Sequence, residues 1–234
     1  MVMHLDQDQG RSNGHAPKNG HAQNGHIYTN GQHAAHTHED ELQPLPVHEA
    51  QQVKQVDHVR LMELGRELLV ALGEDPDREG LLDTPRRWAD WWREFIEYDP
   101  GKTDTTFSAV STDQIVCVSG MRVFSLCEHH LLPMWCDVSI GYIPSGKVLG
   151  LSKFARIAHQ FAHQLQIQER LGQDIADEIS RITDSPSVAV MLKGEHLCMS
   201  ARGIRTPGLM TSSVMRGSFS TDRDLRMEFM QMIQ

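Results

Sequence analysis

The chain has 234 residues, 39% of them hydrophobic, and carries 22 Lys and Arg against 31 Asp and Glu, a formal net charge of −9. That leaves room for one well-buried domain plus a tail, and the acidic balance argues against a general nucleic-acid binder, which would carry a basic face. No apolar run approaches the roughly 18 residues needed to span a bilayer. Met1-Val2-Met3-His4-Leu5-Asp6 reaches charge before any apolar stretch develops, unlike a secretory signal. A cytoplasmic protein is expected, and its cysteines (117, 127, 136 and 198) are then not expected to rely on disulfides.

Composition breaks near residue 50. Residues 1–50 are rich in His, Gly, Asn and Gln, with Asn-Gly-His at 13–15, 19–21 and 24–26. With hardly any aliphatic clustering, this segment cannot offset its ordering entropy and reads as a disordered tail. Its histidines (4, 15, 21, 26, 33, 36, 38 and 48) either buffer metal or decorate a solvated tail with no chemistry. From Val53 to Leu72, Val56, Val59, Leu61, Leu64, Leu68, Leu69 and Leu72 recur at helical spacing, with Gly73 as the stop. Thr84 as N-cap and Pro85 at the first position predict a second helix to about Tyr98. Trp88, Trp91 and Trp92 on it suit core or subunit packing. Gln114–Phe124 and Trp135–Ile143 read as strands. Ser152 as N-cap begins a helix that buries Phe154, Ile157, Ala158, Phe161, Ala162 and Leu165. Another helix runs from about Gln168 to Ile182. Ser187–Leu192 is a β-branched run that His196–Ala201 can extend. A last strand near Met210–Phe219 precedes a helix from Thr221 or Asp222. This order fits an α+β layout, antiparallel strands with helices on one face, better than alternating βαβ units.

Chemistry concentrates in Cys127-Glu128-His129-His130 and Glu195-His196-Leu197-Cys198. Cys127, His130 and Cys198 are three nitrogen or sulfur donors with no obvious fourth, the description of a zinc site with one open position. His129 and His196 stand beside ligands as proton carriers, which points to hydrolysis. The residues also allow plainer readings: a disulfide, two buried thiols, or a structural site closed by another subunit. Lys153 and Arg156 share one helix face near its N-terminus and suit a phosphate, or form an ordinary solvated basic turn. His159 and His163 have chelating i,i+4 spacing without an evident third ligand, so solvent or a neighbouring chain is the expected partner. Glu169 either favours the helix dipole or accepts from a guanidine-like edge. Arg202-Gly203 and Thr211-Ser212-Ser213 are further anion contacts or polar loops.

Five segments occur in order: Thr84-Pro85-Arg86-Arg87, Ser125–His130, Gly150–Arg156, Gln166–Leu171 and His196–Gly203. Together they closely resemble GTP cyclohydrolase I, over roughly residues 53–234. The resemblance implies a tunnelling fold (T-fold), an antiparallel sheet with two helices packed on one side, preceded by a helical arm. Residues 51–105 would be the arm and 106–234 the catalytic region. It implies a toroidal homodecamer with sites between neighbouring chains; the acidic charge and the lack of a long apolar run already argue for no nucleic-acid and no membrane partner. The implied reaction is loss of C8 of GTP as formate and reclosure to 7,8-dihydroneopterin triphosphate, at the entry to folate or tetrahydropterin synthesis. Cys127, His130 and Cys198 match the family's Zn2+ ligands. His196 matches its main proton-transfer residue, His129 a second acid/base histidine, and Ser152 a residue near the ribose. Glu169, with Gln168 beside it, matches the guanine-reading position, while Lys153, Arg156, Arg202 and Arg87 match triphosphate contacts. Asp90 departs from relatives that carry a basic residue there, so that contact is expected to be missing. The competing function is a non-catalytic, zinc-stabilised oligomer that binds nucleotide or pterin. A third reading, the tunnelling-fold nitrile reductase of queuosine synthesis, lacks the metal-ligand set.

Overall fold

The structure is a computed structural model that describes residues 54–109 and 113–234; the readings of the 1–50 tail and of Val53 lie outside those residues. The first helix, α1 (His58–Ala71), begins where the Asp57 carboxylate accepts from the Arg60 amide at 2.9 Å. It stops before Gly73, whose φ of +82° suits glycine. Helix α2 (Thr84–Ile96) packs against α1. Thr84 is its first helical residue, not its N-cap: the Thr84 amide is already taken by Leu81 O in the preceding turn, and the Thr84 hydroxyl accepts from Arg87. Trp88 and Trp92 meet edge to face at 6.0 Å, and Trp91 stacks on Phe95. Much of the apolar stripe of α1 stays outside: Val59, Leu64, Leu68 and Leu72 are exposed within one chain.

The main sheet has five strands in the order β5-β2-β3-β6-β7, namely β5 (Leu165–Gln166), β2 (Val116–Cys127), β3 (Leu132–Tyr142), β6 (Val188–His196) and β7 (Met210–Met215). All neighbours are antiparallel except β5, which runs parallel to β2, so the sheet is mixed and not wholly antiparallel. A separate ribbon joins β1 (Thr106–Ser108) to β4 (Lys147–Leu149). Helices α3 (Leu151–Ala162) and α4 (Gln168–Thr183) bury one apolar face each against the sheet, with Phe154, Ile157, Ile175 and Ile179 meeting Val138, Ile140 and Val190. The C-terminal helix α7 (Arg223–Met232), capped by Asp222, joins a second cluster through Phe229, with Phe219 and Ala189. Alternation along β6 sends Ala189 away from Val188 and Val190, so helices cover both faces of the sheet and not one.

Three expected boundaries move. Gly150, not Ser152, precedes α3, because Gly150 N is tied to Thr105 O and the chain turns helical immediately afterwards. After His196 the strand does not continue; Leu197–Ser200 forms the short helix α5. The last strand ends at Met215, and Ser218–Thr221 forms the turn of helix α6 before α7.

Candidate metal centre

Three strand ends meet at one end of the sheet. Cys127 closes β2 and pairs with Leu132 at the start of β3, while Met134 pairs with His196 at the end of β6. Between β2 and β3 the chain turns tightly, with His130 N and Leu131 N both directed at Cys127 O and Leu131 at φ +55°. That turn folds His130 back over Cys127. The short helix α5 then carries Cys198 to the same place, and the donor atoms of Cys127, His130 and Cys198 lie within 4.8 Å of one another. The two sulfurs are 3.8 Å apart, and all four cysteines are free. A disulfide would need about 2.05 Å. Two sulfurs each about 2.3 Å from a tetrahedral zinc sit about 3.8 Å apart, so the donor set and its spacing fit that ion. Cys127 is buried, Cys198 half-buried and His130 exposed, which leaves the group reachable from one side. Arg202 donates to His130 Nε2 at 2.6 Å, placing a guanidinium at the rim.

The turn is held from behind. Glu128 N donates to Gln166 O, and the Glu128 carboxylate pairs with Arg170 on α4. Arg170 Nε also donates to Gln166 Oε1, and Gln166, fully buried, donates in turn to Asp174 at 2.8 Å. The Arg170 guanidinium holds the Glu128 carboxyl below the usual carboxylate range. The sequence reading missed Gln166, Arg170 and Asp174 as supports; the one available signal was the polar alternation Gln166-Ile167-Gln168 next to an apolar helix.

Beside the triad, His196 is half-buried, and burial pushes its imidazole below the usual range, against a smaller opposing effect of the Glu169 carboxylate. His196 Nε2 lies 3.0 Å from Gln168 Oε1. Gln168, expected at the substrate, is fully buried, and its amide nitrogen faces Leu192 O, Met210 O and Ser212 Oγ. Glu169 is exposed one residue further along α4. His129 is exposed, its Nδ1 3.9 Å from Cys127 Sγ.

The remaining expected contacts are elsewhere in the chain. Ser152, Lys153 and Arg156 sit on the first turns of α3, at the sheet end where Leu149 N donates to Tyr142 Oη. Leu132 and Tyr142, ten residue steps apart on β3, span about 33 Å at ordinary strand rise. Arg156 donates to Pro100 O. Arg87 projects from α2 and contacts Thr84 and Asp83. Asp90 faces α1 and its own helix α2, accepting from His58, Arg86 and Arg93. His159 and His163 are engaged within the chain: His163 stacks on Tyr98 at 3.9 Å and its Nδ1 donates to His159 O. Among the described residues, no helix is long and apolar enough to cross a membrane.

Comparison with known proteins adds a family to this geometry. The family described as GTP cyclohydrolase I matches residues 62–234. A GTP cyclohydrolase 1 of Hyperthermus butylicus is 44% identical over 179 residues, covering 76% of this chain and 92% of that protein. One from Corynebacterium glutamicum is 46% identical over 189 residues, covering 78% and 96%. Among solved structures, the apo archaeosine synthase QueF-Like aligns with 44% of this chain and 95% of its own, at 20% identity and a TM-score of 0.34, a likeness too slight to argue from.

Proposed function

The chain belongs to the GTP cyclohydrolase I family, and from that premise we propose that it opens GTP at guanine C8, releases formate and forms 7,8-dihydroneopterin triphosphate. The observation that carries this reading is the 3.8 Å sulfur pair with His130 closing over it and His196 nearby. We infer that Cys127, His130 and Cys198 hold zinc. A zinc ion there supplies the Lewis acidity that makes water a competent nucleophile at neutral pH.

The chain's own residues do the rest. His196 delivers a proton to the guanine imidazole nitrogen as C8 is attacked, and His129 serves a second acid/base step; imidazole suits both because its charge changes near working pH. Glu169 accepts from the guanine edge, and Lys153, Arg156, Arg202 and Arg87 hold the triphosphate. Ser152 assists at the ribose.

Ser152, Lys153 and Arg156 occupy the opposite end of the sheet from the cysteines. In the oligomer that the family resemblance implies, a second copy would bring its α3 start to this copy's metal centre. We propose a homo-oligomer of the family's toroidal decamer type, with residues 51–105 as arm and 106–234 as a tunnelling-fold catalytic region, working in the cytoplasm. The test is direct: metal-analysed protein is incubated with GTP while formate and, after oxidation, pterin fluorescence are followed. Both should rise together. Tight GTP binding without formate would support the non-catalytic oligomer instead.

A further inference from the structure

Gln168 opens α4 with no solvent exposure, yet every polar atom of its side chain is engaged. Its amide nitrogen faces Met210 O at 3.1 Å, Leu192 O at 3.4 Å and Ser212 Oγ at 3.0 Å. Two of these are backbone carbonyls, which only accept, so the NH2 group must lie on that side and the amide oxygen on the other. That oxygen is 3.0 Å from His196 Nε2 and 3.6 Å from Cys136 Sγ. An amide oxygen cannot donate, so His196 Nε2 must carry a hydrogen. In the neutral ring the lone pair then sits on Nδ1, which has no hydrogen-bond partner among the described residues.

The surroundings enforce this orientation. Burial pushes the Cys136 thiol up to about 12, so it remains an S–H donor to the same oxygen. Turning the amide over would set its oxygen against two carbonyl oxygens. A Cβ at position 194 would collide with Trp135 O and come within 2.7 Å of Cys136 Sγ and 3.0 Å of Gln168 Oε1, so the glycine on β6 is demanded first by the backbone of β3 and also leaves room for the amide. Three strands and a helix thus converge on one hydrogen bond.

We propose that Gln168 is a positioning residue that holds His196 with its hydrogen on Nε2, so that Nδ1 is the atom that first takes up a proton from solvent and then delivers it to the substrate. This rests on the proton-transfer role given to His196 above. Gln168 therefore acts on GTP through His196 and not by touching the nucleotide through its side chain.

Gln168→Met keeps length and volume while removing the acceptor. In the metal-loaded full chain, its kcat for formate release should fall by about 10²- to 10⁴-fold, the range for losing a positioned proton carrier, with the KM for GTP nearly unchanged. Added to His196→Ala, it should cost nothing further. A raised KM with kcat intact, or multiplicative losses in the double variant, would overturn the proposal. Because a buried substitution can unfold the chain, solid-state NMR of unaltered, ¹⁵N-histidine-labelled protein gives an independent reading, with the His196 signals assigned by their loss in His196→Ala. At about pH 8, where the imidazole is neutral, hydrogen on Nε2 is expected; hydrogen on Nδ1 with Nε2 bare overturns the proposal. That spectrum needs no turnover, so a protein that released no formate would refute the functional reading while the tautomer was still decided.

Discussion

At the scale of single residues, the candidate metal centre divides into three donors grouped as an ion would need them and supports that hold the donors. Cys198→Ser removes one of two sulfurs whose 3.8 Å separation suits zinc. Bound metal and formate release should be lost together, as measured by elemental analysis and turnover on the same preparation; full activity without metal would refute the ligand assignment. Arg170→Met leaves all three donors in place but frees Glu128 and Gln166 from the turn. Metal affinity should weaken by about 10- to 100-fold in competition with a chelator, as when the outer partners of ligands are lost. Glu169→Gln should raise the KM for GTP by about 10- to 100-fold, the cost of one hydrogen bond to a charged acceptor, while KM for any residual ATP reaction stays put. The donors were legible because a C-x-x-H pair and a later cysteine have spacing that means something chemically. Gln166, Gln168 and Cys136 were not, because what an amide or thiol does depends on partners such as Leu192 and Met210 that only the folded sheet brings near.

At the scale of elements, α3 shows how far periodicity reaches. Its buried face follows from the spacing of Phe154, Ile157, Ala158 and Phe161. Its start does not, because the bond from Gly150 N to Thr105 O is made by a residue 45 positions away. Nor does the role of its last turn, where His163 stacks on Tyr98 and His159 packs nearby. Burial, with the neighbouring His163 adding to it, holds the His159 imidazole below its ordinary value of 6.5. The unfolded chain therefore takes up this proton more readily than the folded one. The resulting stability is fully present above about pH 6.5 and is lost as pH falls from there through the lower folded value. Thermal midpoints should drop from pH 7.5 to pH 5.5, and His159→Gln should flatten that drop; an unchanged slope would remove His159 from the account.

At the scale of the whole molecule, one chain leaves apolar surface open and functional groups far apart. Phe107 and Phe124 are about 60% exposed, and much of the apolar stripe of α1 is exposed as well. The start of α3 and the cysteines lie toward opposite ends of β3, and the proposed oligomer would join them across two copies. This predicts complementation. Chains carrying Lys153→Ala with Arg156→Ala keep an intact metal centre, while chains carrying Cys198→Ser keep an intact α3 turn. Each population alone should release little formate. Dissociated, mixed and reassembled in the presence of metal, they should form some interfaces with both intact halves and recover activity well above the sum of the parents. If one chain supplied the whole site, every site in the mixture would keep its defect, and activity would stay at that sum however long reassembly was allowed.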